Sequence, residues 1–200
     1  MTVPFVYLAS KSPRRRELLL QCGVAHQTLA PNAVDAVDET PHPNELPSTY
    51  VQRVARAKAA AGWTALRSAN LPAHPLLAAD TTVAIGEEIL GKPESHGEAA
   101  TMLKLLSGRT HQVFTAVAVA WNDRIELALS ESKVTMRALT NEEIAHYVGL
   151  EEPMDKAGGY AVQGRAAIFI ERIEGSYSGV MGLPLFETAK LLSGTGLVLL

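Results

Sequence analysis

The sequence predicts an α/β fold built on a mixed central sheet with flanking helices, and three observations carry that expectation. Apolar runs of strand length alternate with amphipathic stretches of helix length, as in βα units. Two long β-rich stretches in the middle of the chain meet at Asn122-Asp123, a dipeptide suited to a tight hairpin, so part of the sheet is antiparallel. The 200 residues are 47% hydrophobic and 20% charged, enough for one sizeable core in a single domain spanning 1–200.

Residues 5–9 read as a buried strand and 13–22 as a helix closed by Gly23, with Ser12 as N-cap and Pro13 at the first helical position. A second strand is expected within 25–31. Residues 32–47 are acidic and proline-rich, a loop short enough to lie over a site. A long helix follows over 48–68, in which Val51, Val54, Ala55, Lys58 and Ala61 recur at helical spacing. Residues 75–93 form a strand and a hairpin through Gly86, and 94–108 a helix with Ala99, Met102, Leu103 and Leu106 inward. The Asn122-Asp123 hairpin comes next. Thr140 and Glu143 then make a capping-box pattern at the start of a helix over 140–148. Residues 166–173 are read as a strand and 183–193 as the last helix.

A net charge of -3 argues against a partner of nucleic-acid length, which favours a basic surface. Cys22 is the only cysteine, so no intrachain disulfide can form, as in a reducing compartment. The apolar start is short, lacks a basic segment and contains Pro4, and no apolar run reaches membrane-spanning length. A cytoplasmic protein without a membrane partner is expected.

Three arginines, Arg14 to Arg16, occupy a helix start, where the dipole disfavours cations. An anion bound there would reverse the balance, because free N–H groups and guanidiniums together make a phosphate grip. A solvated basic turn accounts for them equally well. Asp80 ends the apolar run 76–79, where ligands of open α/β sheets gather. It could hold a divalent metal or activate water, or simply cap a turn at Thr81 and Thr82. Asp35, Asp38 and Glu39 offer a second carboxylate, though acidic loops are usually solvated. Lys58 falls on the inward stripe of its helix and either snorkels or meets a buried anion. Lys92 and Lys156 lie in glycine-bearing turns. Gln163 carries an amide that can read a base edge as both donor and acceptor. No Walker or dinucleotide motif is present, the six histidines have no metal spacing, and Ser10 and Ser12 have no visible triad partners.

Taken jointly, "LASKSPRRRELL", "AVDET", "RVARAKA", "AADTTV", "GKP", "LSGRTHQVFTAVAV", "EPMDKAGGYAVQG" and "GSYSGVMGLPLFET" resemble the Maf family of nucleoside triphosphate pyrophosphatases, in the family's order over nearly the whole chain. The resemblance implies a fold similar to inosine triphosphate pyrophosphatase, with two lobes around a cleft. It implies a nucleoside triphosphate substrate, cleaved to the monophosphate and pyrophosphate with Mg²⁺ or Mn²⁺. Carried across, Asp80 is the proton acceptor, Glu39 and Asp80 hold the metal, and Lys92 completes the catalytic set. Ser10, Ser12, Arg15, Lys58 and Lys156 surround the triphosphate.

Arg14, Thr81 and Gln163 match the branch acting on dTTP and UTP rather than the 7-methyl-GTP branch, which tends to carry tryptophan, glutamine and glutamate there. Asp35 is the fallback for Glu39. The resemblance also leaves open a homodimer, a nucleotide-binding regulator of septum formation, and modified purine nucleotides as substrates.

Overall fold

The computed structural model describes residues 4–29, 34 and 36–199. Seven strands form one mixed sheet: β1 (Val6–Leu8), β2 (His26–Thr28), β3 (Leu76–Ile85), β4 (Glu88–Leu90), β5 (Thr110–Trp121), β6 (Arg124–Met136) and β7 (Ile170–Glu174). The order is β2-β1-β3-β5-β6-β7, with β4 also paired to β3. β1 runs parallel to β2 and β3, and all the other pairs are antiparallel. The helices are α1 (Pro13–Gln21), α2 (Pro47–Ser68), α3 (His96–Leu106), α4 (Asn141–Val148), α5 (Tyr177–Met181) and α6 (Leu185–Ser193).

The β5–β6 hairpin turns at Asn122 and Asp123, both with positive φ, as the primed turn requires. Thr140 and Glu143 make the capping box of α4 in both directions.

Four expectations are corrected. The strand expected in 25–31 is confined to His26–Thr28 among the described residues. Residues 165–169 are a 3₁₀ turn, and only Ile170–Glu174 is strand. There Ala166 and Phe169 are buried while Ile168 is 72% exposed, a period of three that suits three residues per turn and not a pleat. Asp80, expected where its strand leaves the core, is instead the fifth of the ten residues of β3, because the threonines and Val83 after it continue the pairing with β5. Ser12 is the N-cap of α1 by position, but its side chain makes no capping bond.

Period-two alternation sorts the core. On β3, Leu76 and Ala78 face α2, while Leu77 and Ala79 pack with Leu18 and Leu19 of α1 and Leu192 of α6. Val83, further along that second face, belongs to another cluster with α3, α4 and β6. Two apolar clusters therefore share one face of the sheet, end to end, and they meet at a polar row. Thr81 of β3 and Thr115 of β5 are cross-strand partners, as are Thr115 and Ser130 of β6. This row floors the boundary between the two lobes.

The opposite edge of β3 is split as well. β1 pairs only with Leu76 and Leu77, and β4 only with Val83 to Ile85. Asp80 lies between these pairings, where β1 and β4 diverge.

Candidate active site

Asp80 follows Leu76 and Ala78 in the alternation and so points to the α2 face, toward the inward stripe of that helix. Lys58 of α2 places its ammonium 2.7 Å from Asp80 Oδ1 and 2.8 Å from Glu39 Oε1. The lysine of the apolar stripe thus pairs with carboxylates. Burial pushes the Asp80 carboxyl above its usual range, and the charges of Lys58 and Arg15 oppose that rise. A carboxylate made more basic in this way is a better proton acceptor.

Glu39 sits on the segment preceding α2, and two side chains of that helix hold the segment. The Tyr50 hydroxyl donates to the Glu39 carbonyl at 2.9 Å. Arg53 donates to the carbonyls on either side, Asp38 at 3.4 Å and Thr40 at 3.0 Å, and forks onto Glu45 at 2.7 and 2.8 Å. Asp35, the fallback for Glu39, lies outside the described residues.

The arginines divide. Arg16 is exposed, Arg14 lines the cleft, and Arg15 turns back to the floor. Its Nε donates to the Gly182 carbonyl at 2.8 Å, Nη1 to Ser10 Oγ at 3.2 Å and Nη2 to Thr81 Oγ1 at 3.3 Å. Among the described residues three of its five N–H groups are committed, leaving one on each terminal nitrogen for an oxyanion. Burial lowers its pKa and the Asp80 charge raises it, and a guanidinium stays protonated through such a shift. Ser10 Oγ also accepts from the Ser12 N–H at 3.2 Å, which ties the loop ahead of α1 together.

The other wall comes from the α3–α4 lobe. The Gly158 N–H donates to the Gly91 carbonyl at 3.0 Å, docking the segment of Lys156 and Gln163 onto that of Lys92. Gly158 has φ +69°, and a Cβ there would lie 2.9 Å from Val83 of β3, so glycine is required on both counts. Lys156 is paired with Asp155. Behind this wall, His111 Nε2 and the Tyr160 hydroxyl are 2.7 Å apart.

All eleven residues expected at the site, from Ser10 to Gln163, line one cleft of ≈ 1010 Å³. A smaller pocket of ≈ 400 Å³ at Trp121 and Arg124 holds none of them. The cleft is lined by six cationic side chains, Lys11, Arg14, Arg15, Lys58, Lys92 and Lys156, against four carboxylates, Glu39, Asp80, Glu94 and Asp155, an excess of positive charge that suits a polyanion.

Sequence reasoning missed Tyr50, Arg53, Asp155 and Thr115. Thr115 carried a signal, a polar residue on the inward register of an otherwise apolar strand. Tyr50 and Arg53 carried none, because only the fold brings them to Glu39, and Asp155 stands next to Lys156 in the sequence without a pattern to mark it.

The family model for Maf-like protein matches residues 5–195. The chain belongs to the Maf family. Among curated relatives of this Maf protein is the dTTP/UTP pyrophosphatase of Aromatoleum aromaticum, 54% identical over 196 residues, covering 96% of this chain and 95% of the relative. The dTTP/UTP pyrophosphatase of Nitrosomonas europaea is 50% identical with the same coverage. The Staphylococcus aureus Ham1 protein structure aligns over 66% of this chain and 71% of its own, with TM-score 0.44 and 14% identity.

Proposed function

We propose that this Maf protein hydrolyses dTTP and UTP to the monophosphate and pyrophosphate. The observation that carries the reading is the Lys58–Asp80–Glu39 group, with Asp80 buried and Glu39 open to the cleft, set beside an arginine with two N–H groups uncommitted among the described residues. Water attacks the α-phosphorus, Asp80 takes its proton, and the bond to the bridging oxygen of the β-phosphate breaks. Pyrophosphate leaves with that electron pair. Arg15, Lys58, Lys92 and Lys156 neutralise the phosphates, with Ser10 and Ser12 in the same loop. Stabilising the leaving pyrophosphate supplies much of the rate gain.

Glu39 and Asp80 are hard oxygen donors suited to Mg²⁺ or Mn²⁺. Among the described residues no group of three or more His, Cys, Asp or Glu is arranged to hold an ion. Two carboxylates completed by substrate phosphates is the usual magnesium arrangement, so the donor set fits. The ion, when bound, would polarise the phosphoryl oxygens. Arg14 and Gln163 line the same cleft as the phosphate groups, in keeping with choice of base, and a glutamine amide matches the O and N–H edge of thymine or uracil. Thr81 meets Arg15 directly, so its part in choosing the substrate runs through that side chain. The assignment to the cytoplasm follows the single cysteine. No helix among the described residues is long and apolar enough to cross a membrane.

The test is a panel of nucleoside triphosphates assayed for pyrophosphate release with Mg²⁺ or Mn²⁺. dTTP and UTP should lead; preference for 7-methyl-GTP would overturn the pyrimidine reading. Asp80→Asn should lower turnover about a thousandfold with the fold intact. Full activity in that variant would refute the proton acceptor. Tight nucleotide binding without turnover would instead favour a regulator.

A further inference from the structure

We infer that Thr115, which does not line the cleft, is a positioning residue that fixes Arg15 through the hydroxyl of Thr81. This rests on the reading that Arg15 grips the triphosphate.

Proton counting shows what holds the Thr81 hydroxyl. A threonine hydroxyl carries one proton. Thr115 Oγ1 lies 2.8 Å from the Gly179 carbonyl and 3.0 Å from Thr81 Oγ1. Thr115 is the donor toward both, so its one proton is shared between the Gly179 carbonyl and Thr81 Oγ1. Thr81 Oγ1 also accepts from Arg15 Nη2 at 3.3 Å. Two donors therefore meet on the Thr81 hydroxyl, and Thr115 fixes it for Arg15 from behind.

Both ends are anchored in the same place. Gly179 lies in α5, and the Gly182 carbonyl that accepts from Arg15 Nε follows that helix. Arg15 is therefore held from two points on one short turn, by one direct bond and one relayed bond. Thr115 is 1% exposed and sits between Val113 and Val117, in the row that separates the two apolar clusters. A valine there keeps the shape and leaves Gly179 satisfied, since its carbonyl also accepts from the Gly182 N–H at 2.9 Å. What is lost is the hydrogen bond that Thr115 donates to Thr81. The Thr81 hydroxyl is then free to rotate, and Arg15 loses its fixed partner.

The experiment uses Thr115→Val, Thr115→Ser, Thr81→Val and the double valine variant of the full chain, with two readouts. First, NMR of arginine-labelled, nucleotide-free protein reads rotation of the Arg15 guanidinium. It is expected to be slow in the parent and Thr115→Ser, and fast in Thr115→Val. Second, steady-state kinetics with dTTP should show KM up about tenfold in Thr115→Val, kcat changed less than twofold, and parental values in Thr115→Ser. The double variant should be no worse than either single one, as expected for links of one chain. Restricted Arg15 rotation with unchanged KM in Thr115→Val would overturn the inference, as would additive losses in the double variant. If Thr115→Val does not fold, Thr81→Val with the same two readouts decides. Failure of the parent to release pyrophosphate would refute the functional reading alone, because the NMR readout needs no substrate.

Discussion

Lowering the pH should destabilise this protein through one histidine, and the size of the effect can be worked from the His111 site. The imidazole is 1% exposed, shares one 2.7 Å hydrogen bond with the Tyr160 hydroxyl, and has Nδ1 buried without a partner among the described residues. Burial pushes its pKa down to about 4, against an ordinary value near 6.5. The unfolded chain thus takes up a proton that the folded protein refuses. The stability contribution is complete above pH ~6.5 and is lost as the pH falls toward ~4. Each pKa unit is worth about 1.4 kcal/mol, so between about pH 7 and about pH 4.5 the loss is roughly 2 kcal/mol. The assay is urea denaturation at a series of pH values for the parent and for His111→Phe, which fills the ring volume but cannot titrate. At neutral pH the variant should be less stable by about 1–2 kcal/mol, because the Tyr160 hydroxyl loses its partner. Towards about pH 4.5 the two profiles should converge, by roughly the same 2 kcal/mol. Other titrating groups, including Glu45 and Glu143, whose pKa values are held down to about 2 by Arg53 and Arg137, are common to both proteins and cancel. Parallel profiles would refute the assignment of a neutral, buried His111.

Two further changes test the frame around the carboxylates. Gly62→Ala places a Cβ 2.9 Å from Leu76 Cδ1 and 3.2 Å from Ala9 Cβ, so either the buried Leu76 side chain repacks or α2 moves off the sheet one turn beyond Lys58; thermal unfolding should show a loss of about 1–3 kcal/mol, with turnover falling too. Arg53→Ala removes the bonds on both sides of Glu39, and titration of activity with Mn²⁺ should show a several-fold higher ion requirement while the melting temperature falls only slightly.

Legibility in the sequence followed the range of the physical signal. The long strands, the Asn122-Asp123 hairpin and the α4 capping box are set by neighbours a few residues apart, and each appears where local patterning puts it. The error at 166–173 arose because an apolar run looks the same whether buried every second or every third residue; Ile168, exposed in the structure, could not be told from Phe169. Within the site, charged residues at apolar positions were readable. Lys58 on an inward stripe and Asp80 after an apolar run, in the middle of β3 and not at its end, turned out to face each other. Residues whose meaning depends on a distant partner were not. Tyr50 and Arg53 look like ordinary members of an amphipathic helix until the fold returns Glu39 to them.

The arginines at the start of α1 show how such local conflicts resolve. Near the positive end of a helix a cation is destabilised by a fraction of a kcal/mol, and three in a row should weaken the helix further. Arg15 escapes this by turning away from its own helix, with all three of its described bonds made to Ser10, Thr81 and Gly182 outside α1. Arg16 is exposed, where water screens the interaction. What remains is Arg14, which lines a cleft that also holds Lys58 and Lys92 and is attracted by the Asp155 charge. Lys58 is already paired there with Asp80 and Glu39, so Arg14, Arg15 and Lys92 are the cations that a bound polyanion would complement. A sequence optimised for α1 alone would not place two of them at that helix start.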